Sequence, residues 1–204
     1  MSNPLWIRGG RIIDPDVDRD EEADLFAIDG VIAENLSEDQ RSSAQVIDAT
    51  GKIVCPGFID LHAHFREPGQ SQKETIGSGS RAAAAGGYTT VVIMPDVRPP
   101  ADNAGVIQYI LDAVAKQACV NVLATGCMTQ GRLGESLAPI GSLKQTGVVA
   151  ITDSPDSPQN NEIMRRTLEY AGMFDLPIFD QCRDRALTEG AVMHEGPSSL
   201  RLGL

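Results

Sequence analysis

FIDLHAHF, residues 58–65, is an apolar run interrupted at every second position by Asp60, His62 and His64. Side chains of a strand alternate between its two faces. The three polar residues therefore share one face, and Ile59, Leu61, Ala63 and Phe65 share the other. Two neighbouring imidazoles on one face suit a divalent metal such as zinc. The chain has three histidines, and two of them fall here.

Working outward, the same strand opens a repeating pattern. Further apolar runs stand at YTTVVIM (88–94), VNVLATGCM (120–128), GVVAITD (147–153) and LPIFDQC (176–182). Helical stretches are expected over 73–85, 103–117, briefly near Ser142, and over 160–173. Alternating β and α units imply a parallel sheet. The runs lie about 27–32 residues apart. Eight such units close a barrel of about 250 residues. About five are present, so an open doubly wound sheet and a partial (β/α)8 barrel of the TIM type both fit the pattern alone. Upstream, residues 1–55 read as a small β-subdomain, with a hairpin at Asp29-Gly30 and a single helical turn near Ser37–Arg41. Residues 56–204 form the second unit.

Composition narrows the functional classes. The 204 residues carry 17 basic and 28 acidic side chains, a net charge of −11. Such a balance argues against a phosphate-gripping nucleic-acid binder. Eleven acids and one base lie between Asp14 and Asp39, as a solvated surface would have them. No apolar run approaches the ~18 residues of a membrane span, and MSNPLWIRGG lacks a secretion pattern. Cys55, Cys119, Cys127 and Cys182 form no CxxC pair, and are expected to be buried free thiols in a reducing cytoplasm. GSGSRAAAAGGYTT lacks the GK[ST] of a phosphate loop; its small residues suit close packing of the first helix on the sheet.

PGFIDLHAHFREPG (56–69) resembles the signature of the amidohydrolase superfamily. Its HFREPG end is similar to the dihydroorotase family of the long bacterial class. KETIGSGSRAAAAGGYTTVVIMP (73–95), the Asp153 segment and GAVMHEG (190–196) continue the likeness. The resemblance implies the first part of a zinc-bearing (β/α)8 barrel with a small β-subdomain. It implies His62 and His64 as ligands of a first metal, with Asp153 as an oxygen ligand preferred over Asp156. Arg66 would pair with a substrate carboxylate through its two-pronged guanidinium. Asp60 would support the site by hydrogen bonding. The implied reaction is the reversible hydrolysis of dihydroorotate to N-carbamoyl-L-aspartate, in pyrimidine synthesis. A related cyclic amidase such as a hydantoinase or allantoinase is the second enzyme reading. A non-catalytic paralogue that scaffolds aspartate transcarbamoylase is a third. A homo-oligomer is expected of the complete protein.

Three departures from the family pattern stand out. Gln181 occupies the place of a second-metal histidine, and neutral glutamine is a weak ligand. Neighbouring Asp180 would face the other way. Asp96 occupies the place of a substrate-contacting asparagine, where a carboxylate would repel an anion unless protonated or turned away. The general acid/base of the family lies on strands beyond Leu204. At most one zinc and no turnover are therefore expected of this chain by itself. His194 reads as a solvated loop histidine.

Overall fold

The computed structural model describes residues 4–203. Met1–Asn3, on which the reading of the N-terminus partly rests, and Leu204 lie outside the described residues. The chain divides between Gly57 and Phe58 into two compact units.

The first unit is a small sheet. Strand β1 (Leu5–Asp14) pairs antiparallel with β2 (Arg19–Ile28), and β2 with β3 (Val31–Ala33). Asp29 and Gly30 join β2 to β3 with φ of 50° and 81°. A two-residue hairpin turn of this hand requires positive φ at both places, which Asp-Gly tolerates. Helix α1 (Glu38–Ser43) starts on a capping box between Ser37 and Gln40. Strands β4 (Gln45–Asp48) and β5 (Ile53–Val54) then pair parallel with β1. Part of the acidic stretch, Asp20, Glu21 and Glu22, lies at exposed positions of β2, where Arg11 meets both carboxylate oxygens of Asp20 at 2.6 Å.

In the second unit β6 (Phe58–Ala63), β7 (Tyr88–Ile93), β8 (Asn121–Gly126) and β9 (Ala150–Ile151) form one parallel sheet in chain order. Helices α2 (Ile76–Ala85), α3 (Ala104–Gln117) and α4 (Ile140–Thr146) connect successive strands, and α5 (Asn161–Gly172) follows β9. Sequential parallel order with helical crossovers is the arrangement expected of consecutive barrel units. Each longer helix begins on a side-chain cap: Thr75 for α2, Asn103 for α3 and Asn160 for α5. The caps explain why α2 starts at Ile76 rather than Lys73. The core of the unit is aliphatic, with Ile76, Ile93, Ile107, Ile110, Leu143 and Ile151 almost fully buried.

Four expectations need correction. The fourth strand shrinks from 147–153 to Ala150–Ile151. The fifth, expected over 176–182, is a single bridge between Ile178 and Ile151. Pro177 has no N–H to extend the ladder, and a two-residue partner offers little to pair with. Two short helices close the chain, α6 (Arg185–Thr188) and α7 (Pro197–Leu202), where the sequence pattern suggests none. The thiols divide as well. Cys127 is buried, but Cys55, Cys119 and Cys182 are exposed, because their apolar runs meet loops at those positions. Burial pushes the Cys127 thiol up.

Candidate active site

The polar face of β6 supplies the centre of the site. Asp60 supports it without reaching outward, since its Oδ1 accepts the backbone N–H of His62 at 2.8 Å. His62 lies in β6 and His64 just beyond its end, with ring centroids 5.1 Å apart. Nε2 of His62 shares a 2.8 Å hydrogen bond with Ser154 Oγ, 92 residues away in the chain. Ser154 follows β9, three strands from β6. A flat sheet would hold those strands roughly 14 Å apart, more than the two side chains can span. The strand ends therefore bend towards each other over a concave face.

Asp96 ties the next two residues together. One of its carboxylate oxygens lies 2.9 Å from His64 Nδ1, and the other accepts from Arg66 Nη1 at 2.9 Å. An ionised carboxylate only accepts, so Nδ1 of His64 carries the hydrogen and Nε2 is left as the free ring nitrogen. Carboxylates orient metal-binding histidines in this way. The Asp96 side chain is 8% exposed, against 28% for His64 and 34% for Arg66. The expected repulsive carboxylate is paired with an internal cation, Arg66.

Asp153 sits at the same end of the sheet, beside Ser154, but its carboxylate faces the loop after β8. It accepts the N–H of Met128 at 2.8 Å and of Thr129 at 3.2 Å, and the Thr129 hydroxyl at 2.5 Å. Burial raises its pKa, against the opposing pull of those hydrogen bonds and of Arg132. Among the described residues no three His, Cys, Asp or Glu side chains stand close enough to hold a metal. Asp153 therefore does not join His62 and His64 in this arrangement. Asp156 bridges Arg132 at 2.9 Å and Arg185 at 3.0 Å. Gln181, Asp180 and His194 are exposed, and none of the site's hydrogen bonds reaches Gln181.

Nothing in the sequence pattern singles out Ser154, Thr129 or Arg132. Arg132 donates to the Asp153 carbonyl and to Asp156, and so fixes the loop that carries Ser154. The AITDSPD segment is visible in the sequence, but nothing in it distinguishes a serine that meets an imidazole from one that caps a turn. A cavity of about 370 Å³ borders Asp60, His62 and His64. A larger one, about 470 Å³, opens beside Asp156, Arg183 and Arg185. The first reaches on to Phe65, Gly79 and Ala83, and neither contains Arg66, Asp96 or Ser154, so the hydrogen bonds around the two histidines define the site rather than a cavity.

The dihydro-orotase-like family matches residues 51–204. The chain belongs to that family. It is 49% identical over 201 residues to the dihydroorotase of Solibacter usitatus, covering 98% of this chain and 47% of that protein. It is 46% identical over 200 residues to the dihydroorotase of Pelotomaculum thermopropionicum, with coverage of 98% and 47%. The dihydro-orotase-like chain thus spans about half the length of these curated relatives. In fold it is similar to the L-hydantoinase of Arthrobacter aurescens, with a TM-score of 0.74, 20% identity, and coverage of 91% of this chain and 42% of the other. The four-stranded parallel sheet accordingly represents part of a (β/α)8 barrel. Among the described residues no helix is long and apolar enough to cross a membrane.

Proposed function

We propose that this chain provides the metal-gripping half of a zinc-dependent cyclic amide hydrolase that interconverts dihydroorotate and N-carbamoyl-aspartate in pyrimidine synthesis. The single observation that carries the reading is His64, held through Nδ1 by Asp96, with its ring 5.1 Å from that of His62. Kinship to dihydroorotases at 44–49% identity supports the substrate class. Two imidazoles fit zinc in kind but are one ligand short of the three that catalytic zinc sites use. At most one zinc per chain, held weakly, is the expectation. When bound, zinc would supply a water acidified to a pKa of about 7 and polarisation of the amide carbonyl.

The chain's own residues perform the preparatory work. Asp96 fixes the tautomer and orientation of His64. Ser154 holds His62 Nε2, and any ligand at that nitrogen replaces its hydroxyl. Arg66 offers the guanidinium on which a substrate carboxylate would dock. The proton shuttle to the leaving nitrogen is to come from a further carboxylate. The exposed thiols of Cys55, Cys119 and Cys182 suit a reducing cytoplasm.

A second reading is favoured by the orientation of Asp153 and by Gln181: a non-catalytic relative that supports aspartate transcarbamoylase. Co-production with the remaining half of the Solibacter usitatus dihydroorotase separates the two. The hydrolase reading expects ring opening of dihydroorotate, followed by absorbance, together with zinc retained after dialysis, both lost in His64→Asn. A folded, co-eluting complex with no turnover and no zinc would overturn it in favour of the scaffold.

A further inference from the structure

Arg66 is the cation nearest the two histidines in sequence, and it is already engaged. Its Nη1 donates to Asp96, whose second oxygen is held by His64. Both carboxylate oxygens are therefore occupied, and the side chain is 8% exposed, so Asp96 has no easy path into solvent. We propose that Asp96 is a specificity-determining residue: an internal counter-ion on Arg66 that cancels the site's preference for an anionic cyclic amide over its uncharged counterpart. The proposal rests on the cyclic-amide reading given above.

The argument is electrostatic. A ligand carboxylate seeks the guanidinium fork because two oxygens meet two N–H groups. At Arg66 one arm of that fork is taken. The approaching anion meets a cation whose charge is matched by a carboxylate 2.9 Å away. Attraction to Arg66 and repulsion from Asp96 then largely offset each other. The Asp96 half of the pair is shielded from water, while Arg66, 34% exposed, is screened in part. An uncharged ring is recognised through its amide N–H and C=O groups, and gains or loses little from the neutralised pair. The geometry of His64 depends on the same carboxylate, so Asp96 couples ring orientation to charge selectivity.

Binding separates this from a merely structural role. L-dihydroorotate and dihydrouracil share a ring and differ in the carboxylate. Calorimetric titration of the 204-residue chain should give dissociation constants within about threefold of each other. Asp96→Asn keeps the shape and removes the charge. Whatever it does to both ligands together, it should raise the preference for dihydroorotate over dihydrouracil by about tenfold. Arg66→Gln added to Asp96→Asn should abolish that gain. A scaffold-only role for Asp96 would weaken both ligands together. A preference of the unsubstituted chain for dihydroorotate above about tenfold would overturn the inference alone, and this measurement stands even where a variant fails to fold. An unchanged ratio in folded Asp96→Asn would overturn it too. Failure of both rings to bind the unsubstituted chain and folded Asp96→Asn would overturn the cyclic-amide reading, and the inference with it.

Discussion

Thr129 has no exposed surface, and its hydroxyl serves two partners: it donates to Asp153 and accepts the N–H of Gly134 at 3.0 Å. Thr129→Val removes both while keeping the shape. Losing a hydrogen bond to a buried carboxylate costs about 1.5–3 kcal/mol, and urea unfolding should show a loss of that order at neutral pH. The loss should also depend on pH. The folded pKa of Asp153 is raised, so between its unfolded and folded values the folded state binds more protons. Stability from this group is thus greatest at acid pH and falls as pH rises through the folded value. Removing a donor that favours the charged form raises that pKa further. The destabilisation should therefore grow from acid to neutral pH; a loss that shrinks instead would contradict the assignment. At this scale the sequence is legible where chemistry is written in residue type and spacing. His62, His64 and Arg66 share one short segment, whereas Asp96, expected beside a substrate, pairs with His64 and Arg66 instead. The direction in which Asp153 faces is not legible, because it depends on backbone N–H groups of a loop 25 residues earlier.

Helix α2 closes on Phe65, just after β6, through glycine. A Cβ placed at Gly79 would stand 2.6 Å from Cε1 and 2.7 Å from Cζ of Phe65, which is itself 5% exposed. Gly79→Ala gains roughly 1 kcal/mol of helix propensity but overfills a packed site, at a cost of about 1–3 kcal/mol. A lowered melting temperature is expected. Gly172 in α5 has nothing within 4 Å of the position a methyl group would take, so Gly172→Ala should raise stability slightly or leave it unchanged. Opposite signs for the two changes in one helix-propensity class would show that packing decides at Gly79. The small-residue run of α2 signals this close approach in the sequence. The strands are less evenly legible. Strands β6, β7 and β8 carry six residues each and follow their apolar runs closely. The apolar runs at 147–153 and 176–182 are as strong, yet they yield two residues of strand and one bridge. Apolar patterning reports burial, whereas strand length depends on having a partner to pair with, and these segments meet little of one.

The whole molecule exposes one edge of its parallel sheet. Among the described residues β6 pairs on one side alone, with β7, while Phe58, Ile59 and Leu61 on it are 56%, 62% and 58% exposed. An unpaired, apolar strand edge is a template for pairing with another chain, and adjoining large apolar side chains are an association hazard. Self-association that grows with concentration is expected in size-exclusion chromatography, with binding of a hydrophobic dye. Ile59 and Leu61 are exposed and supply none of the site's hydrogen bonds, so lysine at both positions changes the edge without removing a contact of the site. Because both side chains are already exposed, the double change Ile59→Lys, Leu61→Lys should alter unfolding stability by no more than about 0.5 kcal/mol. It should nevertheless shift elution towards the monomer and reduce dye uptake, since charged residues on an edge oppose strand addition. A chain that elutes as a monomer at all concentrations and leaves the dye dark would show that this edge is not a site of association. A double variant that still assembles would place the contact elsewhere on the molecule.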